Sequence, residues 1–199
     1  MFKKAKNYLY QILKSYMYKY RYQTGFRNYS ENDYGKYARI TNAEYREELT
    51  SWQIPAIKKY CGDLTDTVFL DIGAGDIVCG EKLKEIGNPK IFYVQDLSKP
   101  SLESGITRLK NKGIDTNSFV TMASDDFNFD LISDQTVDNA FSNSLFSHLS
   151  LNTILLCLKK LSPKMKKGAK YFSSMIVCPN KDDIKPYDWS FLNTKGSNI

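Results

Sequence analysis

The 199-residue sequence contains one histidine, His148, and four cysteines, Cys61, Cys79, Cys157 and Cys178, which stand far apart and form no C-x-x-C pair. A zinc site of the usual Cys/His kind lacks ligands in such a chain, so no metal is expected. Cysteines placed singly in or beside apolar segments read as buried free thiols. No uninterrupted apolar stretch reaches the length of a membrane span. The amino terminus mixes tyrosines with lysines where a signal peptide would carry an apolar core. The expectation is a cytoplasmic protein with no transmembrane segment. Acid is missing from residues 1–30, which hold Lys3, Lys4, Lys6, Lys14, Lys19, Arg21 and Arg27; they carry +7 of a net +6, leaving the rest at −1. The basicity is an appendage on a nearly neutral body.

Length, 42% hydrophobic residues and a mean hydropathy of −0.45 fit one soluble globular domain. Within residues 4–21, Leu9, Ile12, Leu13, Tyr16, Met17 and Tyr20 recur at helical spacing and predict an amphipathic helix. Three roles are open to it: packing on the body, which is favoured, lying on anionic lipid, or offering nucleic acid a basic aromatic platform. Residues 25–40 are polar and read as loop. A second helix is expected from Thr41 or Asn42, with Glu44, Glu47 and Glu48 in its early turns, continuing or restarting after Pro55 towards Tyr60.

The most informative stretch is Val68-Phe69-Leu70-Asp71-Ile72-Gly73-Ala74-Gly75-Asp76. It is too short and β-branched for a helix, and it breaks on two glycines, as an internal strand running into a tight turn does. A helix over Glu81 to Ile86 follows, which puts the turn where a strand's carboxyl end meets a helix amino end, the ligand crevice of an open α/β sheet. Val78 stands where a dinucleotide fingerprint would have its third glycine, and the Gly-Lys-Ser/Thr ending of a P-loop is missing. Lys90 to Asp96 reads as a second strand ending in an acid. Pro100 opens a helix striped by Leu102, Ile106 and Leu109 and stopped near Gly113. Phe119 to Ala123 is a third strand and Val137 onward a fourth. Ile154, Leu155, Leu158 and Leu161 stripe a further helix, broken by Pro163 and Gly168, before a fifth strand over Ala169 to Val177. Strands alternating with helices imply a parallel sheet with right-handed crossovers.

FLDIGAGD and VQDLSKPSLESGITRLKNKG resemble the first and second strand regions of class I S-adenosylmethionine-dependent methyltransferases. Five landmarks fall in that family's order between Val68 and Val177. The resemblance implies an α/β, doubly wound, mainly parallel sheet with helices on both faces, the Rossmann-like methyltransferase fold, here lacking its last two strands. It divides the chain into a basic, helical cover over residues 1–62, with residues 25–45 as a lid, and a core over residues 63–199. It implies S-adenosyl-L-methionine as cofactor. Asp71, Gly73, Ala74 and Gly75 would hold the amino-acid end, Asp96 the two ribose hydroxyls, Leu97 the adenine face, and Asp126, or Asp125 beside it, the exocyclic amine. Asn143, after the fourth strand, is counted with the cofactor site, and His148 is the candidate catalytic base for a hydroxyl acceptor, the alternative being a structural histidine that starts the helix containing Ile154 and Leu155. The family commonly has a glycine where Ile77 stands. Neither the N/D-P-P-Y tetrad of amino-group nucleic-acid methyltransferases, which would fall near Asn143 to Phe146, nor the Pro-Cys nucleophile of cytosine-C5 enzymes occurs. A small molecule or glycan precursor is therefore favoured as acceptor over nucleic acid. A partner or a second copy is expected on the exposed sheet edge. The alternative reading is a cofactor-binding module without catalysis that works through its basic helix.

Overall fold

The computed structural model describes residues 43–174. The expected helix over residues 4–21, the loop over 25–40, Cys178 and the last residues of the expected fifth strand lie outside them.

Helix α1 spans Ala43–Cys61 and passes through Pro55 without a break, although the proline costs one backbone hydrogen bond. Its Ile57 is buried against the sheet with Leu64, Phe69, Leu83 and Phe92. Strand β1, Val68–Ile72, is followed by α2, Val78–Ile86, which starts one turn before the expected Glu81. Next come β2, Ile91–Asp96, and α3, Lys99–Asn111. Ser98 caps α3 by accepting from the Ser101 amide at 3.2 Å, and Pro100 lies in the first turn. After β3, Phe119–Ala123, the chain returns without a helix to β4, Val137–Ser142. A 3-10 turn over Phe146–His148, helix α4 over Leu151–Leu161 and strand β5 over Met165–Ser173 complete the described chain.

All four strand pairings are parallel, in the order β3-β2-β1-β4-β5. The chain enters at the centre, works outward to β3, then recrosses to place β4 on the other side of β1. Helices α1, α2 and α3 bury one sheet face through Ile57, Leu83, Leu102 and Leu109. The other face packs under α4 and the β3–β4 connection, through Cys157, Leu161, Phe127, Phe129 and Ile132. Both layers of a doubly wound sheet are thus present, and β5 is the outer strand on its side among the described residues.

Two expectations require correction. Gly168 does not break the helix before β5; it lies inside the strand at φ +82°. There the register slips from Val137 opposite Met165 to Asn139 opposite Lys170, a bulge that absorbs the extra residues. In α4 the inward face is Cys157 and Leu161, with Ile154 and Leu158 half-buried, whereas Leu155 is 54% exposed. Only Leu155 departs from the expected stripe; the fully buried Cys157 takes an inward place with Ile154, Leu158 and Leu161.

Candidate functional site

The glycine turn is fixed by backbone bonds to the end of β2. The amides of Gly73 and Ala74 both donate to the Gln95 carbonyl, at 2.8 and 2.9 Å. The Gly75 amide donates to Asp96 Oδ2 at 2.9 Å, and Asp96 Oδ1 accepts from the Ser98 amide at 2.8 Å. Asp96 therefore joins the turn after β1 to the start of α3. The carboxylate, with about four acceptor sites, keeps capacity for a further donor. The two glycines are not equivalent. Both have positive φ, +75° and +54°, but a methyl on Gly73 would meet the Leu145 side chain at 3.1 to 3.4 Å, whereas nothing lies within 4 Å of a methyl on Gly75. The space beside Gly75 is an open cradle, and Leu145 closes the Gly73 side.

Ile77, where the related turn commonly has glycine, nevertheless takes a glycine-like backbone, φ 64° and ψ 36°, and is fully buried. That conformation is sparsely populated for a β-branched residue. Its side chain fits because Gly80 and Gly105 have none: a methyl on either would lie 2.7 or 2.8 Å from an Ile77 carbon. The glycine missing from the turn is replaced by two glycines around it.

Asp71, the last acid of β1, is 3% exposed. Burial, reinforced by the negative charge of Asp96, pushes its carboxyl up to about 7. Burial also raises Asp96, against the pull of the amides of Ser98, Gly75 and Leu97. Buried Asp71 and half-buried Asp96 feel each other's charge, and a positively charged ligand beside them would favour ionisation of both. Gln95 is buried between them and the third strand, its Nε2 donating to the Ser124 carbonyl at 2.8 Å. Leu97 is half-buried at the end of β2.

The acids after β3, Asp125 and Asp126, are both exposed. Asp126 accepts from the Ser124 hydroxyl at 2.7 Å and from Lys160 at 2.9 Å, and these bonds hold its carboxyl below the usual range. Lys160 is in the last turn of α4, so this ion pair ties Asp126 to that helix. Asp125 is exposed beside it. Asn143 is half-buried, and its Oδ1 accepts from the Ser174 hydroxyl at 2.8 Å, tying the ends of β4 and β5. Nearby, Ser142 binds the Tyr171 hydroxyl at 2.7 Å and donates to Ser173 at 2.9 Å. His148 closes the 3-10 turn after β4, is exposed at its surface, and partial burial lowers its pKa. It does not start α4, which is capped by Ser150.

Asp71, the glycine turn, Asp96 and Leu97 are thus brought together at the carboxyl ends of β1 and β2, next to the reversal of strand order at β4 where α/β sheets take ligands. Asn143 and His148 come from the loop on the β4 side of that reversal. Sequence reasoning missed Gln95 and Leu145, whose parts depend on contacts from other elements and leave no local signal.

No protein-family profile and no curated protein sequence matches the chain. Solved structures do. A methyltransferase of Aquifex aeolicus described as dependent on S-adenosylmethionine superposes with a TM-score of 0.50 at 21% identity, over 60% of this chain and 62% of the other. Geranyl diphosphate C-methyltransferase of Streptomyces coelicolor, solved with Mg2+, geranyl diphosphate and S-adenosyl-L-homocysteine, gives 0.54 at 16% identity, over 66% and 50%. Precorrin 8w decarboxylase of Methanobacterium thermoautotrophicum gives 0.52 at 16% identity, over 66% and 67%. The fold is the Rossmann-like fold of class I S-adenosylmethionine-dependent methyltransferases. The chain spans between half and about three fifths of the length of the first four structures it matches. A decarboxylase among the neighbours illustrates that such a fold carries more than one chemistry.

Proposed function

We propose that this chain binds S-adenosyl-L-methionine at the glycine turn and transfers its methyl group to a small-molecule or glycan-precursor acceptor. The observation that carries the reading is the open space at Gly75, beside an Asp96 carboxylate that holds the turn and retains acceptor capacity. The sulfonium supplies an already activated methyl group when the cofactor is bound, so the protein's task is orientation and exclusion of water. Gly73, Ala74 and Gly75 let the amino-acid end lie against the backbone. Asp71 acts on it through water or backbone contacts. Asp96 accepts from the two ribose hydroxyls, matching a diol's two donors with one carboxylate. Leu97 covers the adenine face. We assign the exocyclic amine to Asp125 or Asp126 and keep Asn143 at the methyl-transfer side. His148 is the candidate base for a hydroxyl acceptor, since its lowered pKa keeps the ring neutral near physiological pH.

In this reading residues 1–62 form the cover and 63–199 the cofactor core, the protein works in the cytoplasm, and a partner or second copy lies along β5. Among the described residues no helix is long and apolar enough to cross a membrane. A second reading, a cofactor-binding module without catalysis, draws on the seven positive charges of residues 1–30; binding to RNA or anionic vesicles that weakens steeply with salt would favour it. Isothermal titration of the full chain with S-adenosyl-L-methionine tests the main proposal. A saturable exothermic or endothermic signal is expected, and a folded chain that binds none at millimolar concentration removes it.

A further inference from the structure

A buried charged cluster adjoins the glycine turn and has no part in the chemistry above. Glu81, in the first turn of α2, is 3% exposed and forms ion pairs with Arg108 and Lys112 of and just after α3. Arg108 also reaches the turn itself: its Nη2 donates to the Asp76 carbonyl at 2.6 Å, and its Nε lies 3.6 Å from the Asp76 carboxylate. Asp76 is 4% exposed, so these bonds are made largely out of water, where an arginine requires its charge matched.

One turn earlier on the same face of α3, Gly105 lets the helix backbone close on the turn. A methyl there would sit 2.5 Å from the Asp76 carbonyl oxygen and 2.8 Å from Ile77 Cγ1. Three consecutive residues are consequently gripped. Asp96 holds the Gly75 amide, Arg108 holds Asp76, and the space left by Gly80 and Gly105 holds Ile77 in its left-handed conformation. A β-branched residue keeps such a backbone only where its surroundings over-determine it. With Asp76 released, Ile77 can relax toward right-handed angles and carry the Gly75 amide away from Asp96.

We infer that Arg108 is a positioning residue for the cofactor turn, binding Asp76 while anchored on Glu81 so that the turn stays open beside Gly75. The inference rests on the proposal that the cofactor lies at Gly75. Its test uses the full chain, S-adenosyl-L-homocysteine as titrant, and amide hydrogen exchange of the ligand-free protein. Arg108→Lys keeps the charge opposite Glu81 but loses the forked reach to Asp76. It is expected to lower affinity about tenfold and to speed exchange at Gly75 and Ile77 by about the same factor, the scale of one hydrogen bond from a charged group. Gly105→Ala, which pushes the Asp76 carbonyl while leaving every charge in place, should produce the same two changes. Lys112→Gln, which removes only the outer partner of Glu81, should produce neither. Wild-type exchange at Gly75 and Ile77 in both folded variants overturns the inference, whatever the affinities. If the wild type binds no S-adenosyl-L-homocysteine, the cofactor proposal fails, and exchange alone still decides whether Arg108 holds the turn.

Discussion

Replacing Asp71 by asparagine tests the electrostatics of the site without a ligand. The acid is buried on β1 and its carboxyl is raised from 3.8 to about 7, first by burial and then by Asp96. Between those two values the folded protein holds a proton that the unfolded chain has released. Stability must then fall as pH rises through this window, by about 1.36 kcal/mol per pH unit at the steepest. The accumulated cost approaches about 4 kcal/mol above pH ~8 and vanishes below pH ~4. Asparagine has nearly the same shape and no charge to bury, so Asp71→Asn should match the wild type in acid and become the more stable protein as pH rises. Urea unfolding of both proteins at several pH values between about 4 and 9 measures the difference, in which titrating groups remote from Asp71 cancel, while Asp96, its charged neighbour, also responds. A gap that stays constant across the series, or one that favours the wild type at high pH, would show that Asp71 does not hold a proton on folding.

Gly75→Ala should lower stability by only about 1 kcal/mol, the cost of a left-handed alanine with no clash, yet cut cofactor affinity at least ~10-fold by filling the cradle; titration beside a thermal melt separates the two effects. Asp96→Ala should weaken cofactor binding by about 1.5–3 kcal/mol and also lower the melting temperature, because it frees the Gly75 and Ser98 amides; unchanged affinity in the folded variant would exclude Asp96 from the site. For His148→Asn, assayed with the true acceptor, a base role predicts turnover down by about 10²–10⁴-fold with cofactor affinity intact. Near-normal turnover would retire that role.

Much of the sheet was legible because β1, β2 and β3 are short apolar runs with clear ends, and because Pro100 and Gly113 mark the limits of α3. The start of β5 was not. Met165, Lys166, Lys167 and Gly168 read as a break, yet a strand at the sheet's edge can carry exposed lysines, and a bulge can carry a glycine. Asp71, the glycines and Asp96 were readable as a group because each ends a strand or opens a turn. Arg108 was not, since its partners lie on the turn and on α2 and only the fold brings them together. The left-handed Ile77 was equally hidden: a β-branched residue signals the opposite conformation, and the glycines that accommodate it are three and twenty-eight positions further along the chain.

Whether the turn after β1 and the end of β2 form one cofactor site is read residue by residue from backbone amide resonances of the full chain during titration with S-adenosyl-L-homocysteine. Saturable shifts are expected at Gly73, Ala74, Gly75, Asp96 and Leu97, with β5 residues near Lys166 unmoved. Saturation without movement at those five positions, or no shifts at millimolar ligand, would mean that they do not form it.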